Sequence, residues 1–224
     1  MRVAAPVLPS AVLWDMDGTI VDTEPYWISA EHDLVESYGG TWTQELAHEC
    51  VGNSLLVSAE IIRANSPVTL SAPAVVDVLL AAVVAQMREH VPWRPGAREL
   101  LIALGEEGVP NALVTMSYLS FAQVLVDALP DGTFAAVITG DAVREGKPAP
   151  EPYLAACRAL DLPPSRCVAI EDSIPGVTSA VAAGVPTIAV PHVVALPADI
   201  GAVQLGTLAG LRPADLLGMF HPVH

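Results

Sequence analysis

Apolar residues along this chain fall into short unbroken runs set off by turn residues: AVLW at 11–14, NALV at 111–114, AAVI at 135–138, CVAI at 167–170 and TIAV at 187–190. Each run is too short for a helix and lacks polar alternation, so each predicts a parallel strand buried on both faces. Helical periodicity fills most of the intervals. The segments EEGVPNALV (106–114) and AAGVPTIAV (182–190) follow one pattern. A helix ends at a glycine, a proline soon after blocks its continuation, and a strand begins. Such alternation predicts an α/β fold with a doubly wound, Rossmann-like parallel sheet.

The alternation fails once. Between the first strand and a helix beginning near Pro95 there is no strand run, only helical patterns at Glu24–Tyr38, Gln44–Val51, Leu55–Asn65 and Pro73–His90. The last puts Val75, Val76, Leu79, Leu80, Val83 and Val84 on one broad face. This predicts an α-helical cap domain, residues 22–94, inserted into a core made of residues 1–21 and 95–224. Its hinges would lie near Val21–Asp22 and Pro92–Gly96.

Composition narrows the partners. The chain has 224 residues, 52% apolar and 16% charged, enough for one good core and a small second domain. Its formal net charge is −15, and its ten lysines and arginines are scattered, which argues against a nucleic-acid partner. An anionic substrate would need strong local positive charge against that field. Three cysteines, Cys50, Cys157 and Cys167, show no CxxC spacing and read as buried thiols of a reducing compartment. Pro6 and Pro9 break the apolar start, which has no clean cleavage signal, and PAVVDVLLAAVVAQM is too short to span a bilayer. The expectation is a soluble, cytoplasmic protein without a membrane partner.

The candidate chemistry lies where the strands end. The first runs into DMDGT, with Asp15 and Asp17 two residues apart and Gly18 suited to a tight, anion-binding loop. Ligands of doubly wound sheets bind beyond the carboxyl ends of strands. CVAI delivers Glu171, Asp172 and Ser173, and NALV delivers Thr115, Met116 and Ser117 at a helix N-terminus. After AAVI comes a Gly/Pro-punctuated turn holding Lys147, the only lysine of the chain. Taken singly, DxDGT also reads as a surface turn and Glu171-Asp172 as a helix cap. Together, acids, hydroxyls and one cation suit a hard metal ion held by oxygens, with a phosphate beside it.

These motifs, in this order, resemble those of the haloacid dehalogenase-superfamily hydrolases. The likeness is to the subgroup with a helical cap after the first motif, which includes sugar-phosphate phosphatases and beta-phosphoglucomutase. WDMDGTIVDTEPYW and GKPAPEPYL carry it most closely, and Trp14 stands where Phe is usual. The resemblance implies a nucleophilic Asp15 that forms an aspartyl-phosphate, and Asp17 as general acid and base. It implies Mg²⁺ held by Asp15, the Asp17 main-chain carbonyl and Asp172, with Glu171 as a further ligand or a neighbour of the ligands. Thr115, Ser117, Lys147 and Gly18 would surround the phosphoryl group. In the cap, Glu24, Gly52 and Asn53 are candidates for touching substrate.

Within that superfamily the residues discriminate. A dehalogenase needs no second acid, so Asp17 speaks for phosphoryl transfer. Phosphonate hydrolases use a cap lysine, and residues 22–94 contain none. A mutase must hold a bisphosphate with basic cap residues, and only Arg63, Arg88 and Arg94 are present there, none beside the VGNSLLVS loop. The expectation is a Mg²⁺-dependent phosphatase of a small phosphorylated metabolite, with a phosphomutase as the alternative. A phosphoacceptor signalling module is the alternative from another class, although such modules lack a helical insert after the first strand. A monomer satisfies the sequence, and no motif sets an oligomeric state.

Overall fold

The computed structural model describes residues 8–220 apart from Gly52. The chain splits into two compact units, Met1–Asp22 with Trp93–His224, and Thr23–Pro92.

The first unit is built on β1 (Ala11–Trp14). The helical unit follows, with α1 (Glu24–Ser37), α2 (Gln44–Cys50), α3 (Leu55–Asn65) and α4 (Ala72–Glu89). The chain then returns to the first unit through α5 (Ala97–Glu106), β2 (Asn111–Val114), α6 (Leu119–Asp127) and β3 (Phe134–Ile138). It continues with α7 (Glu151–Ala159), β4 (Cys167–Glu171), α8 (Ile174–Ala182), β5 (Thr187–Ala189), β6 (Val203–Gln204) and α9 (Asp215–Gly218). All six strands are parallel, in the order β3-β2-β1-β4-β5-β6. Sequence order reverses on either side of β1, so the ends of β1, β2 and β4 border the crevice where such sheets bind ligands.

Every residue of β1, β2 and β4 is buried, as strands covered on both faces require. Trp14 is fully buried, and its indole N–H donates to Asn111 Oδ1 at 2.8 Å. Asn111 in turn donates to the Leu101 carbonyl at 3.3 Å, so the indole brings its own polar partner into the core. The expected strands stand within a residue of their observed ends. β4 runs one residue further than its apolar run, which makes Glu171 the last residue of the strand itself. The short β6 was not expected, because a half-buried valine and an exposed glutamine leave no apolar run.

The helical unit has its own core of Leu34, Val35, Ala59, Ile62, Val75, Leu79, Val83 and Met87. Its helix starts use Thr43 and Ser54 as caps, each accepting a backbone N–H at 3.4 Å. Among the described residues, no helix is long and apolar enough to cross a membrane.

Candidate active site

Asp15 follows β1 directly, and its N–H continues the ladder to the Ile170 carbonyl at 3.0 Å. The residue is 7% exposed. Oδ1 accepts from Lys147 Nζ at 2.6 Å, whereas Oδ2 is buried with no hydrogen-bond partner. Burial raises the Asp15 carboxyl to about 7; the ammonium opposes that rise, and the Glu171 charge adds to it.

Lys147 comes from the loop between β3 and α7, preceding a cis peptide bond to Pro148. Its Nζ donates to Asp15 Oδ1 at 2.6 Å, to Glu171 Oε1 at 2.6 Å and to the Val114 carbonyl at 2.9 Å. Those three bonds use all three ammonium hydrogens. Burial disfavours the charge, but Asp15 and Glu171 outweigh it and hold the lysine above its ordinary range.

Asp172 stands at the start of the β4–α8 turn, with one oxygen 3.4 Å from the Thr19 hydroxyl. Burial raises its carboxyl to about 9, and the charges of Asp15 and Glu171 push the same way. One carboxylate oxygen each from Asp15, Glu171 and Asp172 lie within 4.8 Å of one another. Three carboxyl groups thus face one ammonium, and Asp15 Oδ2 has no partner. An excess of clustered oxygens is the donor chemistry that a hard divalent cation satisfies.

Two expected phosphate contacts find other partners in this structure. The Gly18 N–H is not turned toward an anion, because it donates to the Val21 carbonyl at 2.7 Å. The glycine instead supplies a left-handed backbone (φ +86°) and space, since a Cβ there would lie 2.1 Å from Asp172 Oδ2. Ser117 is engaged as well: its hydroxyl donates to Asp17 Oδ2 at 2.7 Å and its N–H to Thr115 Oγ1 at 3.0 Å. Ser117 therefore orients Asp17, and Thr115 is buried beside it.

The other candidates belong to the helical unit. Glu24 opens α1. Asn53 donates its side-chain amide to the Glu49 carbonyl at 2.7 Å, capping its own chain. Gly52 lies outside the described residues. Sequence reasoning placed Thr19 in the DMDGT motif without a role, and it missed Tyr153, whose hydroxyl donates to Glu171 Oε1 at 2.7 Å. The signal for Tyr153 lay in the GKPAPEPYL motif: a tyrosine on the buried face of α7 must find its hydroxyl a partner.

The doubly wound parallel sheet thus carries a buried aspartate–lysine pair and an oxygen cluster at its switch point. The model of the haloacid dehalogenase-like hydrolases matches residues 9–184. Hexitol phosphatase B of Escherichia coli K12 is 31% identical over 93% of this chain and 96% of its own length. Phosphorylated carbohydrates phosphatase of Thermotoga maritima is 30% identical over 95% of this chain and 99% of its own. Among solved structures, CbbY from Rhodobacter sphaeroides in complex with phosphate superposes with a TM-score of 0.78 at 29% identity. That match covers 91% of this chain and 96% of CbbY. The chain belongs to the haloacid dehalogenase-like hydrolase family. It is a hydrolase of phosphoric monoesters, of the branch that holds sugar-phosphate phosphatases and beta-phosphoglucomutase-like proteins.

Proposed function

We propose that this protein is a cytoplasmic Mg²⁺-dependent phosphatase of a small sugar phosphate or similar metabolite, acting through a phosphoryl group carried on Asp15. The observation that carries this reading is the Asp15–Lys147 pair at 2.6 Å, with Asp15 Oδ2 left without a partner at the end of β1. Its relatives named for hexitol and for phosphorylated carbohydrates support a sugar phosphate as the substrate class. The three cysteines, free and buried, suit the reducing compartment.

Asp15, Asp172 and the main-chain carbonyl of Asp17 would hold the Mg²⁺. When bound, it neutralises phosphoryl charge and balances the crowded carboxylates. Lys147 favours the charged form of Asp15 and aims its carboxylate, and its ammonium would stand beside the incoming phosphoryl oxygens. A carboxylate oxygen of Asp15 attacks phosphorus, and the P–O bond to the alkoxide breaks. Asp17, oriented by the Ser117 hydroxyl, gives that alkoxide its proton. It then takes a proton from the water that attacks the aspartyl-phosphate, which releases inorganic phosphate and restores Asp15. We assign the helical unit the role of a cap, with Glu24, Gly52 and Asn53 as the candidates for touching substrate.

Hydrolysis is favoured over a mutase by the basic residues of the helical unit. Between Thr23 and Pro92 these are Arg63 and Arg88 alone, and Arg63 is paired with Glu60 at 2.7 Å. A second phosphate would therefore find at most Arg88 there as a counter-charge not already paired with an acid. The test is phosphate release from p-nitrophenyl phosphate and a sugar-phosphate panel, with and without EDTA. Metal-dependent release from at least one hexose or hexitol phosphate is expected. No EDTA-sensitive release from any of them would overturn the reading.

A further inference from the structure

Glu171 is the most enclosed carboxylate of the site, with no exposed surface. Its Oε1 accepts from Lys147 Nζ at 2.6 Å and from the Tyr153 hydroxyl at 2.7 Å. Its Oε2 accepts from the Asp172 N–H at 3.2 Å and from the Ser173 hydroxyl at 3.3 Å. A carboxylate offers about four lone-pair directions, so donors from the protein already occupy them all. The remaining side is closed, because a Cβ on Gly176 would lie 1.9 Å from Oε2. Asp15 differs in keeping Oδ2 unpartnered. A cation entering the cluster can meet that oxygen without breaking a bond, whereas at Glu171 it must displace a charge-assisted one.

Tyr153 is itself fully buried on α7, its hydroxyl has one proton to give, and that proton goes to Glu171. Its ring also stands 5.4 Å from Lys147 Nζ. Resting on the phosphatase reading, we propose that Tyr153 is a positioning residue. It pins Glu171 as the fixed counter-ion of Lys147, outside the metal's ligand set, and thereby keeps the ammonium against Asp15. Without the hydroxyl, Oε1 has only the lysine left to neutralise it, and the ammonium is drawn from Asp15 toward Glu171. The simpler account is a core tyrosine whose hydroxyl merely needed a partner, since the ring belongs to the apolar cluster between α7 and the sheet. On that account Tyr153→Phe, which keeps the ring, changes stability and leaves catalysis alone.

The experiment compares wild type, Tyr153→Phe, Glu171→Gln and the double variant in steady-state phosphate release, with melting temperatures to confirm folding. It also titrates metal-free wild type, Glu171→Gln and Asp172→Asn with Mn²⁺ by electron paramagnetic resonance, which requires no turnover. Tyr153→Phe is expected to lower kcat about tenfold with KM within about twofold of wild type. In the Glu171→Gln background the same change should cost less than about twofold more, because both act through one carboxylate. Glu171→Gln should still bind Mn²⁺, weakened by no more than about tenfold, while Asp172→Asn falls below detection. Wild-type kcat in Tyr153→Phe, additive effects in the double variant, or Mn²⁺ binding lost in Glu171→Gln would each overturn the proposal. If Glu171→Gln does not fold, the kcat of Tyr153→Phe decides alone. Absence of phosphate release by wild type strikes instead at the phosphatase reading, and the Mn²⁺ titrations still report on Glu171.

Discussion

In the helical unit, Glu31 is 4% exposed and its Oε2 accepts from the Trp42 indole at 3.0 Å; in the sheet unit, Asp15 is 7% exposed and accepts from Lys147 at 2.6 Å. Burial raises both carboxyl groups to about 7. Their surroundings differ. Around Glu31 the Trp42 N–H and the Cys50 thiol favour its charged form, and the Glu24 charge opposes it. Its own charge, after burial, helps push the Cys50 thiol up to about 12. No cation is among those groups, so only hydrogen bonds support the charged form of this acid. Asp15 faces an ammonium and two further carboxylates, drawn from the ends of β1 and β4 and the loop after β3. A raised carboxyl is thus a mark of burial, and the convergence of opposite charges from several strand ends is what marks a reactive site.

That contrast can be broken by mutation. Asp15→Asn should lower turnover by about a thousandfold or more, because an amide cannot carry the phosphoryl group. The protein should remain folded, since the substitution removes one of three crowded acids; steady-state kinetics and a melting curve check both halves. Lys147→Arg keeps the charge but replaces a compact ammonium, fitted to two carboxylates and a carbonyl, with a planar fork. A loss of about a hundredfold in kcat is expected, with full activity meaning that charge alone matters.

Glu31→Gln should leave kcat within about twofold and act on stability instead. The folded-state value of Glu31, about 7, lies above its ordinary 4.5, so the folded protein holds the proton more tightly than the unfolded chain. Its contribution is therefore greatest below pH 4.5 and is lost as pH rises through about 7. Melting temperatures across that window should fall with rising pH in wild type, and the decline should flatten in Glu31→Gln. A decline of unchanged slope in the variant would assign the pH dependence to other groups.

Much of the architecture was legible along the chain because burial on both faces leaves an uninterrupted signature. AVLW, NALV and CVAI are strands for that reason, and the helical stretch with no such run is a separate unit. β6 was not legible, since a two-residue edge strand is fixed by its neighbour and not by its own residues. At the site, the types and order of acids, hydroxyls and lysine were legible, but their pairings were not. Nothing local tells whether the Gly18 N–H faces an anion or Val21, or whether Ser117 points to a phosphate or to Asp17. The first depends on how a single turn closes, and the second on how two loops distant in sequence meet. The Tyr153–Glu171 bond joins a helix face to a strand end, so periodicity could bury the tyrosine without naming its partner.

The central claim is that Asp15 carries the phosphoryl group while Asp17 moves the protons. Asp17→Asn should separate these steps when the substrate is p-nitrophenyl phosphate, whose leaving group needs no proton. The first transfer then proceeds and hydrolysis of the acyl phosphate stalls. After acid quenching, mass spectrometry of peptides from this variant should find one phosphoryl group on Asp15. A phosphoryl group on another residue, or none on Asp15 in a variant that still releases one equivalent of p-nitrophenol, would contradict the account.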